Sequence, residues 1–171
     1  MLSPPFVGYY LSTMRDIPFF KQENEYYCGP AIIQMIAGAY GLSISQQEAA
    51  RIADTTEADG TMTHNLVEAL RGLGASVGEG DDKNLEDIRK ALAEDAIVVV
   101  CYTEPIEEWG HYAIVQKLDG EKIVLIDPDA RTGSTTLMID EFERRWQDPL
   151  FTKSTRWAAF VTGGPSQKQS R

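Results

Sequence analysis

Cysteine and histidine are scarce in this 171-residue chain, with two of each. Two cysteines cannot build a dense disulfide framework, so a reducing compartment, the cytoplasm, is expected. Basic residues are in deficit as well. Sixteen Lys and Arg against 26 Asp and Glu give a formal net charge of −10, and such a surface repels phosphate backbones and excludes nucleic-acid binding. Long hydrophobic runs are missing: the longest unbroken one, Ala96 to Tyr102, is far short of a membrane span. The opening stretch MLSPPFVGYYLSTMRD has no basic residue before Arg15, and Pro4-Pro5 breaks its apolar run. No secretory signal is expected there. Internal repeats and low-complexity segments are absent. What is present, 43% hydrophobic and 25% charged residues, is the composition of one soluble globular domain able to bury a core without staples. The expected layout is a single domain over residues 1–162 and a fraying polar tail over residues 163–171.

Hydrophobic periodicity divides the domain. Gly29-Pro30 opens a helix in which Ile32, Met35, Ile36 and Ala39 recur at helical spacing until Gly41. Ser45 and Glu48 form the Ser-x-x-Glu signature of a second helix start. A third helix is predicted over residues 63–72 and a fourth from Asn84. From Ala96 the period changes. AIVVVCY, HYAIVQKL, EKIVLID, STTLMI and RWAAFVTG read as five strands, with a short helix at DEFERRWQD. Helices followed by antiparallel strands describe an α+β domain.

Three features converge on one chemistry. Cys28 stands at the start of the first helix, where unpaired N–H groups and the helix dipole favour a thiolate and can bind an oxyanion. Gln22, on the loop leading into that helix, offers a side-chain amide to complete an oxyanion hole with the Cys28 N–H. His111 and Asp127 lie on two strands joined at Asp119-Gly120, a hairpin signal. A two-residue turn at Asp119-Gly120 would pair Leu118 with Glu121 and send His111 and Asp127 to opposite faces. The expected three-residue loop, with Gly120 left-handed in a G1 bulge, instead sets Lys117 opposite Glu121 and therefore His111 directly opposite Asp127. Their Cβ atoms would then be about 5 Å apart, near enough for the carboxylate to orient the imidazole. A Cys nucleophile, a His base and an Asp orienter make up an activated-nucleophile site.

The stretches FFKQENEYYCGPAIIQMIAGAYG, ADGTMTHNLVEALRGLG, GHYAIV and IDPD resemble the papain-like cysteine peptidases. They are most similar to the bacteriocin-processing, double-glycine peptidases (family thirty-nine) over about Ile17 to Phe160. The resemblance implies a helical half carrying the Cys packed on an antiparallel sheet carrying the His and Asp. It also implies roles: Gln22 polarises the oxyanion, Cys28 attacks, His111 acts as base and then acid, and Asp127 orients His111. Tyr27 stands where the exporter-linked members carry an acidic residue, and no transporter domain is expected, so the stand-alone "-like" branch is the expected place.

Other readings of the same residues are weaker. Cys101 reads as core within a buried strand, and a Cys28–Cys101 disulfide is not expected. Zinc ligation by Cys28, His64, His111 and Asp127 lacks paired ligand spacing. A calcium loop at Asp127–Asp129 meets Arg131 where a third oxygen is needed. Trp109 either lines a cleft or packs on the sheet, and Gly163-Gly164 echoes a double-glycine cleavage site. The expected function is hydrolysis of a peptide or protein substrate through a thioester, without cofactor or metal. Another Cys-dependent acyl transferase or amidase on the same fold, and a catalytically silent peptide-binding module, are the alternatives.

Overall fold

The computed structural model describes residues 15–148 and 153–164. Helix α1, Cys28–Ala39, starts one residue before Gly29, so Pro30 occupies its third position, where an N–H has no helical partner. It ends as the sequence dictates: Gly41 turns left-handed at φ 78°, and Leu42 N–H closes on the Ala37 carbonyl at 2.9 Å. Helix α2, Gln46–Ile52, is capped by Ser45, whose hydroxyl accepts the Glu48 N–H at 3.1 Å. Helix α3 is Thr63–Gly72. Helix α4, Leu85–Ala93, carries a complete capping box in which Asn84 and Asp87 satisfy each other's backbone N–H.

Strand β1, Ser76–Gly80, lies between α3 and α4, so the first half of the chain is not purely helical as expected. Its SVGEG sequence has too few β-branched residues to register as a strand, and it forms by pairing at the sheet edge. The remaining elements are β2 (Ile97–Thr103), β3 (Gly110–Leu118), β4 (Lys122–Ile126), β5 (Ser134–Met138), α5 (Ile139–Arg145), β6 (Gln147–Asp148), β7 (Ser154–Thr155) and β8 (Ala158–Gly163). Six of the strands form one antiparallel sheet in the order β1-β8-β2-β3-β4-β5, and β6 pairs with β7 apart from it.

Strand β2 is central, and its unbroken apolar run fits burial on both faces. Ile97, Val99, Cys101, Tyr112 and Ile114 face α1 to α3. Val98, Val100, Ala113, Val115 and Leu125 face α4 and α5. Helix α4 thus covers the opposite side of the sheet from α1 to α3. Among the described residues no helix is long and apolar enough to cross a membrane.

The β3–β4 hairpin departs from the expected register. Leu118 pairs with Ile123 rather than sitting in a three-residue loop, and Gly120 is not among the glycines of positive φ. The cause is Asp119, whose carboxylate accepts the N–H groups of both Glu121 and Lys122 and so shapes a longer turn. Taken alone, this register would send His111 and Asp127 to opposite faces. An extra residue at Gln116 shifts the pairing by one, so that Val115 faces Leu125 and Ile114 faces Ile126. The bulge returns His111 and Asp127 to one face as diagonal rather than direct neighbours.

Candidate active site

Cys28 is the first residue of α1. Tyr27 before it makes no side-chain cap, and the first turn holds no acidic residue to cancel the helix dipole. Pro30 has no N–H, and the Ala31 N–H closes on the Tyr27 carbonyl at 2.9 Å. The N–H groups of Cys28 and Gly29 are therefore the donors at the helix mouth. Cys28 is 8% exposed, buried at the margin of the core cluster that it shares with the rest of α1.

Gly29 is a requirement of packing. A Cβ there would stand 2.3 Å from Thr61 Oγ1, in the loop before α3. Thr61 is buried and locked: its hydroxyl lies 2.7 Å from that of Thr55, and its carbonyl accepts the Tyr112 hydroxyl at 2.7 Å. Gly29→Ala is expected to displace Thr61 and destabilise the fold by about 1–3 kcal/mol, read as a lowered melting temperature.

His111, on β3, meets Asp127 just beyond β4. Nε2 lies 2.6 Å from Asp127 Oδ1, and both residues are buried. With Nε2 committed to Asp127, Nδ1 is the ring nitrogen left to face Cys28, whose hydrogen bonding and charge act on the imidazole. Burial works against charge on His111, but hydrogen bonds and charge from Asp127 and Cys28 outweigh it and raise the pKa to about 10. For Asp127, burial pushes the other way again. The His111 hydrogen bond and charge, the Thr135 hydroxyl and the Asp129 N–H prevail, and hold its pKa well below the usual carboxylate range.

Two residues unmarked in the sequence complete this network. The Tyr102 hydroxyl donates to Asp127 Oδ2 at 2.9 Å and the Thr135 hydroxyl donates to the same oxygen at 2.7 Å. Oδ1 accepts the Asp129 N–H at 3.0 Å besides facing His111. Tyr102 is fully buried; burial, then the Asp127 charge, keeps its pKa far above the usual phenol value, so it remains a donor. The signal available for it was a polar-tipped ring ending the apolar run of β2, on a position paired with His111.

Gln22 sits on the loop before α1 and is 9% exposed. Its backbone N–H donates to the Pro128 carbonyl at 3.0 Å, tying this loop to the turn that bears Asp127. Its side-chain Nε2 donates to the carbonyls of Asn24 (2.9 Å) and Glu25 (3.3 Å). Cys28, His111 and Asp127 thus form one linked chain, while the Gln22 amide is engaged on its own loop.

The remaining candidates fall elsewhere. His64 is exposed on α3, and among the described residues no three His, Cys, Asp or Glu side chains converge as metal ligands. Cys101 is buried in the core. Trp109 is 55% exposed at the end of the loop that precedes His111, so it does not fill the sheet core. Gly163 pairs with Ser76, and Gly164 presses on Tyr40. Tyr40 follows the far end of α1, about 18 Å from Cys28 at the helical rise, so this Gly-Gly is remote from the sulfur. Residues 165–171 of the expected tail and 1–14 of the opening stretch lie outside the described residues.

Comparison with known proteins bears on the family and the fold. The model of the peptidase C39 family matches residues 16–156. An uncharacterised protein of Methanothermobacter thermautotrophicus is 28% identical over 133 residues, covering 78% of this chain and 85% of its own length. The peptidase domain of Streptococcus ComA, a bifunctional ABC transporter of a quorum-sensing pathway, superposes with a TM-score of 0.70 at 20% identity, covering 88% of this chain and all of that domain. A double-glycine-motif protease from an AMS/PCAT transporter, solved with its leader peptide, gives a TM-score of 0.67 at 17% identity over 91% of this chain and 96% of its own. The last two likenesses establish a common fold, the papain-like α+β arrangement.

Proposed function

The chain belongs to the peptidase C39 family, and from that premise we propose that it hydrolyses peptide bonds through a thioester on Cys28. The observation that carries this reading is the buried His111–Asp127 contact of 2.6 Å beside Cys28, whose charge and hydrogen bonding act on the imidazole. His111 Nδ1 takes the thiol proton, and the sulfur adds to the substrate carbonyl carbon. The resulting oxyanion is held by the Cys28 N–H and by Gln22 Nε2, which turns one N–H from the Glu25 carbonyl, the longer of its two bonds. Nδ1–H then protonates the leaving amine as the C–N bond breaks. A water, deprotonated by His111, attacks the thioester, and the acid leaves with the thiol regenerated. The raised pKa of His111 fits an imidazolium that persists at neutral pH. A peptide substrate is further supported by the leader peptide bound to the transporter-derived relative.

A benzyloxycarbonyl-glycyl-glycine p-nitrophenyl ester serves as an activated test substrate, with iodoacetamide alkylation of Cys28 as a parallel assay that needs no oxyanion hole. Gln22→Ala is expected to lower kcat for the ester by about 10²-fold and to leave the alkylation rate within about twofold. Equal losses in both assays would assign Gln22 to holding the helix mouth instead.

A further inference from the structure

We infer that Gln46 is a positioning residue that sets the Gln22 loop against the Cys28 helix mouth, an inference that rests on the proposed role of Gln22. Gln46 opens α2 yet is only 2% exposed. Its Oε1 accepts the Glu23 N–H at 3.0 Å, and its Nε2 donates to the Lys21 carbonyl at 2.8 Å. One planar amide therefore grips the backbone on either side of Gln22, as a neighbouring strand would. The opposite edge of the same segment is held by the Gln22 N–H on the Pro128 carbonyl at 3.0 Å. The second N–H of Gln46 donates to Gln34 Oε1 at 3.1 Å, and Gln34, on α1, donates in turn to the Ile44 carbonyl at 3.0 Å.

The consequence is a fixed spacing between two parts of one oxyanion site. Gln34 rides on the helix that begins with Cys28, so the Gln34–Gln46 pair indexes the Gln22 segment to that helix. Pro128 indexes the same segment to Asp127. The amide orientation has no alternative: turning it would set Nε2 against the Glu23 N–H and Oε1 against the Lys21 carbonyl. A buried amide so committed costs stability if its partners are lost, and displacement of a reacting group by about 1 Å can cost 10²-fold in rate.

The test is a double-mutant cycle on the full chain with the glycyl-glycine ester and iodoacetamide. Gln46→Met is expected to lower kcat by about tenfold or more, with KM and the alkylation rate within about twofold. Made in the Gln22→Ala background, the same change should cost less than about twofold in kcat, while the loss in melting temperature persists in both backgrounds. Gln46→Glu, which keeps the acceptor for Glu23 but has no proton for Lys21, should fall between the wild type and Gln46→Met. It carries the same criteria if Gln46→Met shows no cooperative melt. A damaging Gln22→Ala with an additive Gln46 effect, or alkylation that falls in step with kcat, overturns the inference alone. A neutral Gln22→Ala overturns the role of Gln22 and this inference with it.

Discussion

His111→Ala is expected to lower turnover of the glycyl-glycine ester by about 10²–10⁴-fold at neutral pH, and Cys28→Ala to abolish it. The histidine effect is large because, in the proposed mechanism, one ring serves both proton transfers and is the charge partner of the sulfur. Without it, only the helix mouth and its N–H groups remain beside the sulfur. Alkylation separates the two contributions. At pH 6 a free thiol of ordinary pKa is ionised to about 0.3%, so a sulfur paired with imidazolium should react at least about tenfold faster than such a thiol. His111→Ala should remove most of that advantage. Cys101, 1% exposed, is the internal control and should stay unlabelled until the protein unfolds. Alkylation of wild-type Cys28 no faster than a free thiol would favour the silent peptide-binding alternative. An acylated amine product formed on adding an amine nucleophile, without hydrolysis, would favour the transferase.

Local chemistry made the scaffold readable in the sequence. Gly29-Pro30, the Ser45 cap, the residue 63–72 helix and the apolar run of β2 each carry their signal within a few residues, and each element formed. Strand β1 did not carry one, because SVGEG is a strand only by virtue of β8 beside it. The site shows the same divide. Cys28, His111 and Asp127 converge, but the route expected for the last two was wrong. Asp119 lengthens the turn, and the Gln116 bulge corrects the face. Neither effect belongs to the hairpin sequence alone: a bulge is settled by what the flanking side chains bury, here Val115 on one face and Ile114 on the other. Tyr102 and Gln46 were hidden for a related reason. A tyrosine closing an apolar run and a glutamine opening a short helix look like core and surface until the chain is folded, when both turn out to be buried and fully committed.

Asp127→Ala is expected to lower turnover by up to about 10⁴-fold and to destabilise the fold by about 3–5 kcal/mol. The two losses have different origins. The rate falls because His111 loses the partner that fixes Nδ1 toward the sulfur. Stability falls because the hydroxyls of Tyr102 and Thr135 and the Asp129 N–H lose a buried acceptor together. Asp127→Asn isolates the charge. Its oxygen can replace Oδ1 before His111 Nε2 and the Asp129 N–H, and its NH₂ can donate to the two hydroxyls, so shape and tautomer survive. The raised pKa of His111 then loses its anionic support, and the alkaline limb of kcat/KM should move from about 10 toward the ordinary imidazole value. The sign for stability follows from linkage. The raised His111 contributes stability fully below its unfolded pKa of about 6.5, and this is lost as pH rises through about 10. The depressed Asp127 contributes above its unfolded pKa of about 3.9, and this is lost as pH falls through its lower folded value. Wild-type melting temperature should therefore decline at both extremes, and Asp127→Asn should flatten both declines while lowering the plateau between them. An unmoved alkaline limb in Asp127→Asn would mean that Cys28, rather than Asp127, supplies the charge that keeps the imidazole protonated.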